Sequence, residues 1–364
     1  MQGDRLAHPI RSVLLALCFL ATIFTTGRLS AANPMAMQIY VIDVEGGQAT
    51  LFVAPTGESL LIDTGWPGFN GRDADRILQS AKSAGISKLD YVLITHYHRD
   101  HVGGVPQLAQ RMKIGAFVDH GPNLEDAANP REDYAAYEKA TAGTKRILAK
   151  PGDKIPFGDA TLEVITAAGD RIQHPLQGTA IDNPLCAAES DTKVDPSENA
   201  RSVGVLITYG KMRVLDLGDL TKKKELELVC PKNLIGIIDL FIVDHHGYEE
   251  SNPKGLIDAI RPRVAIMDNG AKKGASPAAW TNVRSAPGLE DLWQSHYAVE
   301  GGQDHNAAPD FIANPESGTG NGEDKGHAIH VAASSDGSMT VTNERTGFAK
   351  KYPARVSSAS EHAH

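Results

Sequence analysis

The chain has 364 residues, 41% hydrophobic and 22% charged, and its formal net charge is -9. This composition indicates a globular protein with one large domain or two small ones. The negative charge argues against a dominant basic track for nucleic acid, although a metal site could still hold phosphate locally.

The first 32 residues have the pattern of a secretory signal peptide. Arg5 and Arg11 precede the apolar segment SVLLALCFLATIF, and small residues surround Ala32. The apolar segment is too short for a comfortable membrane span. We therefore expect cleavage near Ala32, a periplasmic or secreted location, and no stable membrane insertion after cleavage. A retained membrane anchor is the alternative.

Two cysteines, Cys186 and Cys230, follow the predicted signal peptide. An oxidising compartment would allow them to form a disulfide. Two unrelated buried thiols are an equally weighted alternative, because the sequence does not give the distance between their Cα atoms.

The first part of the mature chain alternates strands and helices. Strands are predicted for MQIYVIDV, for the two segments around the turn PTGE, for LDYVLITH and for IGAFVDHG. Apolar spacing predicts a helix over 74–85, which ends at Gly85, and a short helix in VPQLAQRM. This order predicts an α/β fold.

The second part continues this layout. We predict a helix over 131–150, then a hairpin, then a polar surface loop over the site within 169–200, and strands around YGK within 202–219. A helix over 222–229, the strand IIDLFIVDHHG, the helix PKGLIDAIRP and the strand RVAIMDNG follow. Residues 300–326 have a loop composition, and Asp-Gly predicts a hairpin near the end.

The segment THYHRDHVGG crowds potential metal ligands at a strand end. His96 and His98 are two residues apart, so both side chains point the same way if the chain is extended. Asp100 and His101 follow in a tight turn and could reach a second metal. Imidazole and carboxylate ligands suit zinc, and also iron or manganese.

Two further groups also end predicted strands. Asp219 ends MRVLDLGD, where a carboxylate could bridge two metals; by itself a helix N-cap would be the preferred interpretation. His245 and His246 end IIDLFIVDHH, and by themselves paired histidines are usually surface residues. Strand ends are where α/β folds place their sites, which favours one common centre.

The motifs LLIDTG, THYHRDHVGG, LDLGD and DHHG, in this order, resemble the metallo-β-lactamase fold superfamily. The ComEC/Rec2-like hydrolase branch is the most similar, because DVEGGQATLFVAPTGESLLIDTG resembles its opening and SENARSVGVLITYG, with Asn199 and Ser202, resembles its Asn…Ser element. The resemblance implies a four-layer αββα sandwich. It also implies one hydrolase domain over 33–356, with an insertion at about 121–200 and a tail at 357–364.

The resemblance also implies roles for individual residues. Two divalent metal ions are expected, zinc first, with manganese or iron as alternatives. His96 and His98 would bind the first ion, Asp100 and His101 the second, and Asp219 would bridge them. His246 is favoured over His245 as the last ligand, which leaves His245 at the substrate. The catalytic residues would be Asp100 and His245, while Asp63 and Asn199 would lie behind the ligands.

Many superfamily members have a further histidine ligand before the GD strand, and none occurs here between 175 and 218. The resemblance implies hydrolysis by a metal-activated water, with a phosphoric ester or phosphodiester as the preferred substrate, small or polymeric. Lactams, lactones or other esters are the alternative substrates, and a non-catalytic metal-binding protein is the alternative class. Lys222, Lys223 and Lys224 could form a basic patch for nucleic acid, but the negative net charge favours a solvated helix face.

Overall fold

The computed structural model describes residues 36–176, 181–189, 193–315 and 325–355. The predicted signal peptide and the predicted tail lie outside the described residues, so both stay predictions. The domain boundaries stay predictions as well. No helix in these ranges combines the length and the apolar character that a membrane crossing requires.

The first sheet has nine strands, numbered here along the chain. They are β1 Met37–Val41, β2 Thr50–Val53, β3 Ser59–Ile62, β4 Lys88–Leu93, β5 Lys113–Asp119, β6 Lys145–Leu148, β18 Ile329–Ala333, β19 Met339–Asn343 and β20 Ala349–Tyr352. The order across the sheet is β20-β19-β18-β1-β2-β3-β4-β5-β6. Pairing is antiparallel from β20 to β3 and parallel from β3 to β6.

The second sheet also has nine strands. They are β7 Lys154–Phe157, β8 Ala160–Ala167, β9 Asp170–Arg171, β11 Gly204–Tyr209, β12 Met212–Asp216, β14 Leu240–Ile242, β15 Val264–Met267, β16 Asp291–His296 and β17 Ile312–Asn314. The order is β17-β16-β15-β14-β12-β11-β8-β7, with β9 paired to β8. The neighbouring strands β12, β14, β15, β16 and β17 are parallel to one another. A separate two-stranded sheet pairs β10 Ile181–Asp182 with β13 Lys232–Asn233.

Helices cover the outer faces of both large sheets. They are α1 Arg72–Ser83, α2 Arg99–Val102, α3 Val105–Ala109, α4 Ala128–Thr141, α5 Lys222–Val229, α6 Lys254–Ile260 and α7 Pro277–Arg284. One buried cluster joins α1, α3 and α4 to the first sheet, and another joins α5, α6 and α7 to the second. A third cluster fills the space between the two sheets.

Alternating side chains explain why each sheet is apolar on both faces. In the first strand, Ile39 and Val41 point into the core between the sheets. Tyr40 and Ile42, one residue along, belong to the cluster under the helices. This period of two is the geometry of an extended strand. The predicted four-layer αββα sandwich is confirmed.

Some element boundaries differ from the prediction. The helix predicted over 131–150 is α4, which ends at Thr141, and Gly143 follows with a φ of 85°. A glycine in this left-handed conformation reverses the chain readily. Residues 145–148 then pair with β5 as the edge strand β6, so the end of this prediction was wrong.

Part of the predicted surface loop is fixed to helices α5 and α6. Cys186 and Cys230 form a disulfide with a Cα–Cα distance of 5.6 Å, which resolves the pairing that the sequence left open. Asn183 Nδ2 also donates to Gly255 O at 2.9 Å. Residues 183–187 are therefore fixed beside α5 and α6, whereas residues 193–199 remain near the predicted site.

Candidate metal centre

Five residues of the candidate site, four of them predicted, follow parallel strands of both sheets. Asp63 comes directly after β3, and His96 lies three residues after β4. In the second sheet, Asp219 follows β12, His246 follows β14 and Asp268 follows β15. Because these strands are parallel, their carboxyl ends bring the residues to one edge of the sandwich.

The backbone at this edge is unusual. Asp63, His245 and His246 have φ values of 59°, 53° and 54°, in the left-handed region that side-chain-bearing residues rarely adopt. A Cβ on Gly104 would lie 2.1 Å from Thr64 O, so only glycine fits there. Strained backbone held by its surroundings is common at functional sites, which supports this edge as the candidate site.

Four predicted ligands form a compact buried group. Asp100, His101, Asp219 and His246 each offer a ligand atom within 4.8 Å of the others. His101 Nε2 lies 3.1 Å from Asp219 Oδ2 and 3.2 Å from His246 Nε2. His246 Nε2 lies 3.3 Å from Asp100 Oδ2.

Hydrogen bonds fix which nitrogen of two histidines faces the group. His101 Nδ1 lies 2.7 Å from Asp63 Oδ2, so it donates to this carboxylate and leaves Nε2 for the centre. Thr95 Oγ1 donates to the same Asp63 oxygen at 2.6 Å, and His96 Nδ1 lies 3.0 Å from that hydroxyl. The hydroxyl therefore accepts from His96 Nδ1, and His96 Nε2 carries a lone pair.

The two histidines of the second sheet have the same orientation. His246 Nδ1 faces Asp268 Oδ1 at 3.3 Å. His245 Nδ1 lies 3.1 Å from Ser251 Oγ, and this hydroxyl donates to Leu220 O at 2.7 Å. The Ser251 oxygen therefore accepts from His245 Nδ1, which leaves His245 Nε2 as a lone pair 3.6 Å from Asp219 Oδ2.

These donor atoms fit divalent metal ions. His96 Nε2 is buried, has no hydrogen-bond partner among the described residues, and lies 3.8 Å from Asp219 Oδ2. Four buried carboxylates, those of Asp63, Asp100, Asp219 and Asp268, lie in or directly behind the group. The half-buried ammonium of Lys273 is the one lysine that contacts them among the described residues, so negative charge is in excess when the histidines are neutral. Buried charge is stable only when compensated, and imidazole with carboxylate is a zinc donor set.

The protonation equilibria reflect the same charge imbalance. Burial alone would raise the pKa of Asp219, but His101, His246 and His245 lower it well below its usual value. Burial alone would lower the pKa of His101, but Asp219, Asp100 and Asp63 raise it well above its usual value. The carboxylates thus attract positive charge into the group, which protons or metal ions can provide.

His98 and Asn199 lie outside the compact group. His98 Nε2 is 3.0 Å from Glu125 Oε2, although its ring lies 4.7 Å from that of His96. Asn199 Nδ2 lies 3.4 Å from His245 Nε2, so this residue contacts the candidate substrate histidine. The metal-binding role of His98 stays a prediction.

Three residues at the centre were not predicted. The Lys273 ammonium contacts the Asp100 carboxylate, lies 2.5 Å from Gly46 O and sits 5.4 Å from the Trp66 ring centre. Burial and the carboxylates of Asp100 and Asp219 have opposite effects on the pKa of Lys273, and the net effect is to raise it. Asp268 and Glu125 are the other two, and only Asp268 has the strand-end position that sequence reasoning could have used.

A second group with metal-binding residue types lies nearby. Asp43, Glu45 and His296 have ligand atoms within 4.8 Å of one another. However, Arg76 Nη1 lies 3.0 Å from one oxygen of Asp43, and His296 Nε2 lies 2.8 Å from the other. The Asp43 charge is therefore already balanced by protein groups, and the arrangement is that of a structural ion pair.

Cavities open beside two of the site histidines. One of about 660 Å³ is lined by His245 and Asn199, among others. Another of about 450 Å³ is lined by His98, Asp100 and Trp66. Both are large enough for parts of a small organic substrate.

Comparison with known protein families agrees with the fold and the candidate metal centre. Residues 43–183 match the model of the Metallo-beta-lactamase superfamily. The chain carries a metallo-beta-lactamase superfamily domain. The match confirms the enzyme class that the sequence predicted, a metal-dependent hydrolase of this superfamily. The sheet order and the helical layers agree with the predicted fold.

Individual relatives have moderate sequence identity to this chain. Recombination protein 2 of Haemophilus influenzae is 27% identical over 259 residues, which are 71% of this chain and 26% of that protein. A UPF0173 metal-dependent hydrolase of Cupriavidus necator is 26% identical over 246 residues, 65% of this chain and 75% of the relative. The chain therefore matches only about a quarter of Recombination protein 2, and this similarity is consistent with the ComEC/Rec2-like resemblance.

Among solved structures, the metallo-beta-lactamase fold protein YhfI from Bacillus subtilis has a TM-score of 0.43 and 14% identity. The match covers 71% of this chain and 95% of that chain.

Proposed function

We propose that this protein is an exported hydrolase that uses two divalent metal ions, zinc in the first instance, to cleave phosphodiesters. The observation that carries the proposal is the shared orientation of His96, His101, His245 and His246. Each presents Nε2 towards Asp219 or its neighbours while Nδ1 faces an oxygen atom. Such support fixes ligand tautomers in metal enzymes.

The residues of the chain have distinct tasks in this proposal. His96, Asp100, His101, Asp219 and His246 would hold the ions. Bound there, the metal ions would supply an activated water and stabilise charge on the attacked phosphoryl group. Asp63 keeps His101 Nε2 free of its proton, and Thr95 links that carboxylate to His96.

His245 is suited to a task at the substrate. Its Nδ1 donates to Ser251, its Nε2 faces Asn199, and it lines the cavity of about 660 Å³. A neutral imidazole with an exposed acceptor nitrogen can accept a proton and return it to a leaving oxygen. Because His245 is the less deeply buried histidine of the pair, it can reach both the centre and the cavity.

Cationic side chains near the centre favour a phosphate over a neutral ester. Lys273 contacts Asp100, Arg99 lines the cavity beside His98, and Lys222 and Lys223 line the cavity beside His245. The net charge is negative overall, and Lys273 and Arg99 are ion-paired with Asp100 and Asp133, so any attraction for a phosphate group is local.

Export is supported by two features of the chain. The N-terminal segment has the pattern of a signal peptide. The Cys186–Cys230 disulfide suits an oxidising compartment, because disulfides are rare where thiols are kept reduced.

The test is hydrolysis of bis(p-nitrophenyl) phosphate by the mature chain with added zinc or manganese. We expect turnover that disappears with a chelator and in Asp219→Ala. Asp291→Asn is the matched control, since Asp291 lies at the start of β16, away from the carboxyl ends of the strands, and accepts from Tyr352 at 2.7 Å. Metal-loaded protein that cleaves lactones or lactams but no phosphodiester would refute the proposed substrate class.

A further inference from the structure

The cavity of about 660 Å³ beside His245 is built around the beginning of α5. Its lining includes Thr221, Lys222 and Lys223 on one side and residues 193–197 and 248–250 on the other. Asp219 precedes Thr221 by two residues, so their Cα atoms are at most about 7 Å apart. The cavity is thus next to the candidate metal centre and shares His245 with it.

The charges at the beginning of α5 are unusual for a helix. The helix begins with three consecutive lysines, although cations near a helix N-terminus are electrostatically unfavourable. Lys224 is bound to Gly169 O at 2.8 Å and to Glu227 at 3.2 Å. Lys222 and Lys223 line the cavity and have no carboxylate within ion-pair distance among the described residues, although Lys222 acts electrostatically on the buried Glu225 carboxylate. Two ammonium groups and the helix N-terminus therefore meet at this wall.

Thr221 adds an independent observation. It occupies the N-cap position, where threonine normally accepts from a backbone N–H of the first turn, but its side chain makes no capping hydrogen bond. Only 9% of the residue is exposed, and within the described chain its hydroxyl has no hydrogen-bond partner. A buried hydroxyl is normally hydrogen-bonded, so the Thr221 hydroxyl lacks its usual partner at the edge of this cavity.

We propose that this cavity is a subsite for a second phosphate group, held by the Thr221 hydroxyl and the Lys222 and Lys223 ammonium groups. The proposal rests on the proposed function and narrows the substrate to a linear phosphodiester with at least two phosphates. One phosphate lies at the metal centre while its neighbour lies at α5. Anions at a helix N-terminus are stabilised by the helix dipole and by free N–H groups.

Acidic residues also line the cavity, and their placement is compatible with this role. Glu249 and Glu250 are exposed, so water screens their charges. The backbone carbonyl of Glu250 accepts from Lys222 N at 3.0 Å. Asp195 Oδ1 accepts from Ser197 N at 2.9 Å, which occupies that oxygen within its own turn.

The first experiment compares hydrolysis of thymidine dinucleotides with and without a terminal 5′-phosphate. For the wild type we expect a KM at least about fivefold lower with the terminal phosphate, and a similar kcat, because the second phosphate contributes binding rather than chemistry. The double variant Lys222→Gln/Lys223→Gln should lose this preference, while Lys224→Gln should keep it. Equal KM values for both dinucleotides in the wild type would overturn the proposal. Short glycerol-phosphate oligomers of two and three units, assayed in the same way, distinguish a wall-polymer source from a nucleotide source.

A second experiment does not depend on hydrolysis. Inorganic pyrophosphate is titrated calorimetrically into metal-free protein, in which no bound metal ion can hold the anion. We expect binding that weakens at least about tenfold in the double lysine variant, weakens in Thr221→Val, and stays within about twofold in Lys224→Gln. Absent binding in the wild type, or equal binding by the double variant, would overturn the subsite. If no phosphodiester is hydrolysed but these binding differences are found, the proposed function fails and the anion subsite stands.

Discussion

Replacing Asp63 with asparagine is expected to weaken metal binding about 10- to 100-fold. Asp63 Oδ1 accepts from Thr95 N at 2.8 Å, and Oδ2 accepts from the Thr95 hydroxyl and from His101 Nδ1. Asparagine must place its NH2 group at one of these two positions. At the Oδ1 position it would face a backbone N–H, which cannot become an acceptor.

The other orientation is therefore preferred, and it changes the tautomer of His101. With NH2 at the Oδ2 position, the Thr95 hydroxyl can rotate to accept, and His101 Nδ1 becomes an acceptor. The His101 proton then moves to Nε2, which lies 3.1 Å from Asp219 Oδ2 and would be a metal ligand. A tenfold change in affinity is about 1.4 kcal/mol, so the expected loss is about 1.4 to 2.8 kcal/mol.

The assay is competition for zinc with a chromophoric chelator, with the metal content measured on the same samples. Asp43→Asn is the matched control, because Asp43 also pairs with a buried histidine, His296 at 2.8 Å, but lies outside the candidate centre. It should retain the wild-type affinity and stoichiometry. An Asp63→Asn protein that is folded and binds zinc within about twofold of the wild type would refute the tautomer argument.

Further predictions concern stability. Burial and the neighbouring carboxyl group raise the pKa of Asp244 well above its usual value, and burial raises that of Glu225 to about 7. Because the folded-state pKa values are raised, stability is lost as pH rises from about 4.5 through 7. The variant Asp244→Asn should show a smaller loss of stability than the wild type, measured by denaturant unfolding of metal-free protein between pH 5 and pH 8. Reduction of the Cys186–Cys230 disulfide, which closes a separation of 44 residues, should lower the free energy of unfolding by about 2–4 kcal/mol, and a reductant should not affect a variant with serine at both positions. Zinc at 100 times its dissociation constant should stabilise the wild type by about 2.7 kcal/mol in thermal unfolding, but not Asp219→Ala; equal stabilisation of both would place the bound metal elsewhere.

The sequence predicted the parts of the centre that depend on local spacing. His96, Asp100 and His101 lie within six residues, and Asp219 and His246 follow strands whose carboxyl ends must meet in a parallel sheet. Each could be placed from its strand. The supporting contacts were not predictable in this way, because they join distant segments.

Glu125 and Lys273 illustrate that limit. Glu125 is 27 residues from its partner His98, and Lys273 is 173 residues from its partner Asp100. Both lie in connections between elements, where neither strand nor helix periodicity constrains the side chain. Only packing of the folded sheets determines these contacts.

Some of the missed fold had a sequence signal. Helix α7 begins with Ser276 at the N-cap and Pro277 at the first helical position, an arrangement typical of a helix start. The strand β16, which follows it, and the last strand, β20, were also missed. By contrast, the end of α4 at Thr141 could not be read from composition, since alanine and lysine continue on both sides of the break.

The candidate centre takes its ligands from both sheets. His96, Asp100 and His101 follow β4 of the first sheet, and Asp219 and His246 follow strands of the second. A bound ion would therefore act as a cross-link between two halves that otherwise meet through the apolar core and through polar contacts such as Lys273–Asp100 and His296–Asp43. Metal affinity then depends on how well the two halves pack together. The core substitution Val214→Ala, between the sheets and far from any ligand, should therefore weaken metal binding as well as lower the stability of the fold.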